Sequence, residues 1–375
     1  GTPGRVRPVS ISSAASSESA SQAPQSDGPD LLAADRGEVR RSVPLDGPMV
    51  DGFGRRIEYL RISVTDKCNL RCVYCMPLEG MQWLKRDDLL SFEEIVEIVQ
   101  VMAGLGLRRV RFTGGEPLVR RDLPELVRAV ASVPGIDDLA LSTNGVLLED
   151  HAAALADAGL TRVNVSLDSL QPQRVDDIAR RPGSFERIMK GLEAAERFGF
   201  APLKLNVVLM RGVNDDEIAD FAALTRDRPW HVRFIEVMPT EANLDVSREQ
   251  FISCDEALER VRRLGELEAV PQGPTGNGPA RYWRFPGAAG TVGVITPMSH
   301  NFCDRCNRMR LTAEGQLRPC LFGDLQTDLR AALRAGSPVE PLIRETLRVK
   351  PERHWLEQGT TRGSGGLVAL SQTGG

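Results

Sequence analysis

The sequence predicts an α/β protein, a partial (β/α)6 TIM-like barrel followed by a smaller C-terminal domain. Six strand-like segments alternate with helical segments from residue 57 to about residue 238, and the alternation stops after the sixth unit. Alternating strands and helices of this length form parallel sheets with right-handed crossovers. Six units are too few for a closed (β/α)8 barrel. A doubly wound open sheet is the alternative.

The elements of the barrel follow one another in a regular order. The predicted strands are Ile57–Val64, Arg109–Thr113, Leu139–Ser142, Arg162–Leu167, Leu203–Met210 and Val232–Val237. The predicted helices between them are Ser91–Gly104, Arg121–Ala131, Glu149–Ala158, Ser184–Phe198 and Asp215–Thr225. Ser91 and Glu94 form a capping box, which marks the start of the first helix.

Side-chain alternation divides these strands into an apolar face and a polar face. The apolar face must meet the helices, which leaves a polar set pointing inward: Arg61, Arg111, Ser142, Ser166, Lys204 and Asn206. Closed barrels fill this interior with Val, Ile and Leu. A cationic interior is unstable unless it is open to water or holds a charged ligand. The polar face therefore predicts a cavity for an anion; the alternative is that these residues pair with interior acids such as Glu116 and Glu236.

Composition divides the rest of the chain. Residues 1–48 are rich in Ser, Ala, Gly and Pro, and we expect them to be disordered. Residues 49–245 form the barrel, and residues 246–335 form the C-terminal domain, with a helix at Cys254–Leu264 and strands around Tyr282–Phe285 and Thr291–Ile295. Residues 336–375 are predicted to be a polar tail that ends in Gly374 and Gly375.

Charge and hydropathy exclude several classes of protein. A net charge of −4 and a pI near 5.8 do not favour nucleic-acid binding. The sequence contains no run of 18 apolar residues that predicts a membrane span, and its N-terminus lacks the apolar core of a signal peptide. Unpaired-looking cysteines without a secretion signal favour a reducing compartment, so we expect a cytoplasmic protein.

Six of the seven cysteines fall into two triplets. Their spacings are Cys68-x3-Cys72-x2-Cys75 and Cys303-x2-Cys306-x13-Cys320. Three thiolates can hold three irons of a [4Fe–4S] cube and leave the fourth iron open to a ligand. The triplets therefore predict two clusters, and the second makes the C-terminal domain an iron–sulfur domain.

A structural zinc site is the alternative for a cysteine triplet. Such sites have four closed ligands, and His300 is a candidate fourth ligand for the second triplet. Cys254 belongs to neither triplet and is predicted to be a small buried hydrophobe.

Two motifs follow the ends of the first two strands, where ligands bind in α/β folds. The first triplet follows strand one, and Thr113-Gly114-Gly115-Glu116-Pro117 ends strand two. Together they resemble the radical S-adenosylmethionine superfamily. The resemblance implies that the open iron binds the methionine part of the cofactor and that an electron from the cluster cleaves its sulfonium to give a 5′-deoxyadenosyl radical.

The second triplet narrows the resemblance. The run from Phe302 to Arg310, with Cys320-Leu321-Phe322-Gly323 after it, is similar to the GTP 3′,8-cyclase family of molybdenum cofactor biosynthesis. The similarity runs from about Asp51 to Gly375. Further segments that fit the family are Asp51-Gly52-Phe53-Gly54-Arg55, Ser142-Thr143-Asn144-Gly145, Asn164-Val165-Ser166-Leu167-Asp168-Ser169 and Arg233-Phe234-Ile235-Glu236-Val237-Met238-Pro239.

The resemblance implies a role for individual residues. It assigns the first cluster to Cys68, Cys72 and Cys75 and the second to Cys303, Cys306 and Cys320. It assigns S-adenosylmethionine to Tyr74, Gly115, Ser166 and Met238. It assigns GTP to Arg61, Arg111, Ser142, Lys204, Arg308, Met309 and Arg310. It implies catalytic roles for Arg61 and for Gly374 and Gly375, whose tail enters the active site in that family.

The implied reaction converts GTP to (8S)-3′,8-cyclo-7,8-dihydroguanosine 5′-triphosphate, which makes the enzyme a lyase. Hydrogen abstraction at ribose C3′ is followed by attack of that carbon on guanine C8. The implied partners are an electron donor and the downstream pterin synthase of the pathway. A homodimer is one of the oligomeric states that the sequence allows. The alternatives are another radical enzyme with an auxiliary cluster, such as a peptide maturase, and a zinc-binding interaction module.

Overall fold

The computed structural model describes residues 46–77, 79, 81–240, 243–274, 278–354 and 370. The account below concerns these residues, which belong to the compact unit 41–375. The predicted disordered extension lies almost wholly outside the described residues, as do Gly374 and Gly375.

All six predicted barrel strands are present. They are β1 (Tyr59–Ser63), β2 (Arg109–Thr113), β3 (Asp138–Thr143), β4 (Arg162–Ser166), β5 (Leu203–Leu209) and β6 (Trp230–Glu236). The helices between them are α1 (Phe92–Gly104), α2 (Leu123–Ala131), α3 (Leu148–Asp157), α4 (Pro172–Ala179), α5 (Ser184–Arg197) and α6 (Ile218–Asp227). The capping box of α1 is confirmed, because Ser91 Oγ accepts the Glu94 N–H and Glu94 accepts the Ser91 N–H. The sequence did not predict α4.

The C-terminal region adds short elements. The strands are β7 (Glu268–Ala269), β8 (Arg281–Arg284), β9 (Thr291–Ile295), β10 (Arg308–Leu311), β11 (Gln316–Arg318) and β12 (Thr327–Asp328). The helices are α7 (Leu244–Glu249), α8 (Cys254–Arg262), α9 (Leu329–Arg334) and α10 (Glu340–Arg348). Single 3-10 turns lie at Arg86–Asp88, Pro117–Val119, Asp215–Glu217 and Cys303–Arg305.

The strands form one twelve-stranded sheet in the order β12-β11-β10-β1-β2-β3-β4-β5-β6-β9-β8-β7. Strands β1 to β6 are neighbours in chain order and parallel. The order of these strands does not reverse, so the sheet lacks the switch point of a doubly wound fold, and the partial barrel is confirmed. At its two edges β10 joins β1 and β9 joins β6, both parallel. The predicted barrel and C-terminal domain therefore share one sheet.

Strand alternation places the core as predicted. Leu60, Ile62, Val110 and Phe112 are fully buried and belong to the apolar core between sheet and helices. Cys254 is also fully buried in this core, as the sequence predicted.

The segment 336–375 differs from the predicted polar tail in its first part. Glu340–Arg348 forms the amphipathic helix α10, and its Ile343 and Leu347 are fully buried in the core. Hydrophobic burial therefore continues the fold at least to His354, which is also buried. In the described part of the chain, every helix is too short or too polar to cross a membrane.

Candidate active site

The first cysteine triplet lies in the loop that follows β1. Leu84 N–H donates to Asp66 Oδ2 (2.6 Å), and Arg71 and Val73 donate their N–H groups to carbonyls at the C-terminal end of α4. Burial raises the pKa of Cys68 to about 11, and burial together with the neighbouring Cys75 raises the pKa of Cys72 well above its usual range. Buried thiols that disfavour one another's ionisation fit a site where a metal cluster supplies the compensating charge.

The glycine pair at the end of β2 packs against this loop. Gly115 N–H donates to Thr65 O (2.8 Å), and Glu116 N–H donates to Lys67 O (2.8 Å). A Cβ on Gly115 would overlap the carbonyl oxygens of Asp66 and Lys67. Glycine is therefore required here so that the backbone of the first-triplet loop can approach β2 closely.

Hydrogen bonds fix the tyrosine of the first triplet at both ends. Tyr74 Oη donates to Asp168 Oδ2 (2.7 Å), and Val208 N–H donates to Asp168 Oδ1 (2.8 Å). Asn243 Nδ2 donates both to Tyr74 O (2.6 Å) and to Met238 O (3.0 Å). Asn243 thus ties together two residues that the resemblance assigns to S-adenosylmethionine.

Three arginines lie side by side on adjacent strands. Arg61 of β1 is in register with Arg310 of β10 on one side and with Arg111 of β2 on the other. Neighbouring strands are about 4.8 Å apart. We call Arg310, Arg61 and Arg111 the arginine row; like charges so aligned repel each other unless an anion lies among them.

The electrostatics of this interior are those of an anion site. Burial, followed by the charge of Arg310, lowers the pKa of Arg61 well below its usual range. Burial lowers the pKa of Arg111 and of Arg310 to about 10. Burial alone raises the pKa of Tyr59, yet the surrounding arginines outweigh it and leave that pKa below its ordinary value. The field inside the barrel is therefore positive.

Glu116 and Glu236 are the two interior acids that the sequence offers as alternative partners of the inward cations. Glu116 accepts hydrogen bonds from Thr143 Oγ1 (2.7 Å) and Asn144 N–H (2.7 Å), and burial raises its pKa to about 7. Glu236 accepts from the N–H groups of Cys254 and of residues 298 and 299. Hydroxyl and backbone donors therefore hold both of these acids.

The second triplet lies at the other end of the β1–β10 pair. Because Arg308 is paired with Tyr59 in parallel register, Cys306 precedes β10 at the end where β1 begins, whereas Cys68 follows the end of β1. β11 runs antiparallel to β10, and extending its register places Cys320 opposite Arg308. This hairpin explains the 13-residue spacing. Tyr59 and Ser63 bound β1 and are separated by roughly 13 Å along the strand, so the arginine row lies between the triplets.

One cavity of about 260 Å³ reaches from the first triplet to neighbours of the second, although Cys303, Cys306 and Cys320 are not among its lining residues. It is lined by Cys68, Cys72, Cys75, Tyr74, Gly115, Ser142, Ser166, Met238, the arginine row, Arg308, Asn206, Arg233 and Leu321. Leu370, near the C-terminus, also lines it. The cavity therefore brings together most of the residues that the sequence predicted for S-adenosylmethionine and GTP.

Two predicted GTP residues lie elsewhere. Met309 alternates to the opposite face of β10 from its arginine neighbours and is fully buried in the apolar core. Lys204 is 2% exposed and lies deeper in the barrel, in register with Asn164 and His231. Burial, followed by the charges of Arg233, Arg162 and Arg111, lowers the pKa of Lys204 to about 6.

Three residues with a place in the site were not predicted from the sequence. Arg233 lines the cavity and donates to Asn206 Oδ1 (2.5 Å). Its alternation with the buried Val232 and Phe234 on a predicted strand was the available signal. Asp168 and Asn243 act through contacts between distant parts of the chain. The available signal for Asp168 was its place in the family-like segment Asn164–Ser169, and Asn243 has no comparable local signal.

The zinc alternative for the second triplet finds no support. His300 Nε2 lies 2.6 Å from Asp255 Oδ2, and its side chain is 55% exposed. Among the described residues, no three Cys, His, Asp or Glu side chains converge as ligands of a single metal ion.

The sequence matches known families over most of its length. Residues 62–225 match the Radical SAM superfamily, whose cofactors are S-adenosylmethionine and a [4Fe–4S] cluster, and residues 230–356 match the Molybdenum Cofactor Synthesis C family. The GTP 3′,8-cyclase of Pelotomaculum thermopropionicum is 49% identical over 315 residues, covering 83% of this chain and 96% of that protein. That of Moorella thermoacetica is 46% identical over 330 residues, covering 87% and 100%.

A solved structure shares the fold. Streptococcus suis SuiB bound to S-adenosylmethionine superposes with a TM-score of 0.54 at 15% identity, covering 77% of this chain and 68% of SuiB. A SuiB structure bound to the precursor peptide SuiA gives a TM-score of 0.51 at 15% identity over 74% of this chain and 64% of that one. Identities this low show the fold alone. The sequence relatives decide the family: the chain belongs to the GTP 3′,8-cyclase family of the radical SAM superfamily.

Proposed function

We propose that this protein converts GTP to 3′,8-cyclo-7,8-dihydroguanosine triphosphate in molybdenum cofactor biosynthesis. The arginine row carries the proposal: its three buried guanidinium groups lie in register, burial and the charges of Arg310 and Arg111 lower the pKa of Arg61, and such a row favours a multiply charged anion. Guanidinium groups pair bidentately with phosphate oxygens. A nucleoside triphosphate supplies the required charge.

Arg61, Arg111, Arg310 and Arg233 hold the triphosphate in this proposal. Each lines the cavity between the two cysteine triplets. Ser142 and Arg308, on the same wall, are available to the rest of the nucleotide. Lys204 acts from beneath the cavity floor through its charge rather than by lining it.

The first triplet, with Tyr74, Gly115, Ser166 and Met238 around it, holds S-adenosylmethionine and its cluster. When bound, these groups supply a low-potential electron and a radical that abstracts hydrogen. The protein contributes position: Asn243 fixes the carbonyls of Tyr74 and Met238, and Gly115 lets the cysteine loop lie against β2.

The second triplet, Cys303, Cys306 and Cys320, holds a second [4Fe–4S] cluster with one open iron in this proposal. Its neighbours Phe302, Arg308 and Leu321 line the cavity, which supports the proposal that the open iron binds guanine while the arginine row binds the phosphates. The proposal extends to the C-terminal glycines: Leu370 lines the cavity, and Gly374 and Gly375 follow it closely in the sequence.

The reaction also needs partners. We propose an electron donor for the clusters and a downstream pterin synthase that takes the product. Seven free cysteines favour the reducing cytoplasm as the compartment. A homodimer is compatible with the proposal, which places every named site residue on one chain.

A peptide substrate is the second candidate, and the cavity disfavours it. The arginine row favours a multiply charged anion, which a nucleoside triphosphate supplies and a neutral peptide does not. The test is anaerobic incubation of reconstituted protein with S-adenosylmethionine, a reductant and either GTP, ATP or no nucleotide. The proposal expects 5′-deoxyadenosine and a cyclised product with GTP alone. Equal 5′-deoxyadenosine formation in all three would contradict it.

A further inference from the structure

Lys350 is a buried lysine beside the second triplet. It follows α10, and only 2% of its surface is exposed. The anchored helix and the buried His354 after it hold this short segment against the hairpin of β10 and β11. A charged ammonium in such a place requires hydrogen-bond acceptors and a compensating charge.

The ammonium of Lys350 joins both strands of the hairpin. Its Nζ donates to Pro319 O (2.5 Å), to Arg308 O (3.0 Å) and toward Cys306 Sγ (3.7 Å). An ammonium has three donors, and these three acceptors match them. One acceptor, the sulfur of Cys306, is itself a predicted cluster ligand. Another, the carbonyl of Pro319, directly precedes the predicted ligand Cys320. Lys350 therefore links the segments that carry Cys306 and Cys320.

The acceptors include two carbonyls and one thiol, so the sulfur is the partner that can carry negative charge. Lys350 Nζ lies 3.7 Å from that sulfur, within hydrogen-bond range of a sulfur acceptor. The neighbouring thiol is also contacted by the same segment, because His354 N–H hydrogen-bonds Cys303. The sulfur of Cys306 is thus held next to a positive charge.

The first triplet is built with neutral donors at the corresponding position. Cys68 Sγ accepts from Leu70 N–H (3.4 Å) and from Asn144 Nδ2 (3.8 Å). The reduction potential of an iron–sulfur cluster depends on net charge and on hydrogen bonds to its sulfurs. A cation that donates to a ligand sulfur favours the reduced, more negative cluster.

We infer that Lys350 is a positioning residue of the second cluster: it raises that cluster's reduction potential through its charge on Cys306 and holds the Cys306 and Cys320 segments together. The inference rests on the proposed second cluster. It assigns the difference between the two clusters to one side chain outside both cysteine triplets.

The test is a redox titration, followed by electron paramagnetic resonance, of the reconstituted full chain. The wild type is compared with Lys350→Met, Lys350→Arg and the exposed control Lys190→Met. A Cys72→Ser chain, which lacks the first cluster, identifies the signal of the second. We expect Lys350→Met to shift the oxidised-to-reduced ratio of the second cluster at least tenfold toward oxidised, which is about 59 mV for one electron.

The outcomes are distinct. Lys350→Arg and Lys190→Met should keep the wild-type potential of the second cluster, and the first cluster should be unchanged in all three variants. An unchanged second potential in Lys350→Met, with about eight irons bound, overturns the inference alone. If Lys350→Met binds about four irons, the arginine variant decides: a full complement there supports the role of charge, and a half complement overturns it. If the wild-type protein binds only about four irons, the proposed second cluster is itself contradicted.

Discussion

Arg111→Met should weaken GTP binding without destabilising the fold. Arg111 is 7% exposed, lines the cavity and stacks on the ring of Tyr59 at 5.4 Å. Truncating one partner of a desolvated charged contact costs about 2–5 kcal/mol. We expect the lower end, about 2 kcal/mol or thirtyfold in Kd, because losing Arg111 also relieves its repulsion of Arg61 and Lys204 in the free protein.

The matched control is Arg162→Met in the same interior. Arg162 Nε and Nη2 donate to Asp138 Oδ1 (2.7 Å) and Oδ2 (2.5 Å), so its loss removes both hydrogen bonds and leaves this buried carboxylate only the longer contact with Arg109 Nε (3.7 Å). That change should lower the free energy of unfolding by about 3–5 kcal/mol. Calorimetry with GTP and urea unfolding of both variants separate the roles. Wild-type GTP affinity in Arg111→Met, or destabilisation equal to that of Arg162→Met, would refute the reasoning.

Four further predictions follow from the site. Cys306→Ser should halve the iron content and abolish the cyclised product, and a full iron content would contradict the two-cluster proposal. Gly115→Ala should lose the first cluster and cofactor cleavage, because its Cβ overlaps the cysteine loop; unchanged iron content would contradict this. The pKa of Lys204 is about 6 in the free protein, and a bound anion should raise it. GTP binding should therefore take up protons and strengthen as pH falls from about 8 toward 6. Calorimetry in two buffers should show this proton uptake, and uptake that persists in Lys204→Met would refute the assignment. Deleting Gly374 and Gly375 should keep GTP affinity and both clusters but stop turnover, and normal product formation would show the tail to be dispensable.

The six barrel strands could be predicted because each is a short segment that carries regularly spaced apolar residues. A helix or a polar loop separates each segment from the next. Arg109–Thr113 has the predicted bounds, and the other five strands are shifted only at their ends. Alternation within these strands was enough to turn Arg61 and Arg111 inward. Local sequence therefore determined the barrel and two members of the arginine row.

At one edge of the sheet, β8 and β9 correspond to the strands predicted around Tyr282–Phe285 and Thr291–Ile295, whereas β10, β11 and β12 at the other edge were not predicted. β10 is the short segment Arg-Met-Arg-Leu, which carries little strand signal by itself and is stabilised by pairing with β1. Only this pairing brings Arg310 into register with Arg61. The position of Lys204 along the barrel axis could not be predicted either. Alternation shows which face of the strand carries Lys204, but not that this residue lies below the cavity.

Contacts between distant segments account for the remaining differences. Asn243 reaches the carbonyl of Tyr74 across 169 residues of sequence, and Lys350 reaches Cys306 across 44. Neither residue belongs to a periodic pattern or a recognised motif in the sequence. Their roles depend on tertiary packing, which a local pattern does not encode.

The most direct measurement of the central claim uses GTP deuterated at ribose C3′. Reconstituted protein is incubated anaerobically with this GTP, S-adenosylmethionine and a reductant, and the 5′-deoxyadenosine is analysed by mass spectrometry. If the cavity between the triplets holds GTP for abstraction at C3′, the 5′-deoxyadenosine carries one deuterium and forms in step with the cyclised product. Unlabelled 5′-deoxyadenosine, formed at the same rate without GTP, would contradict the account.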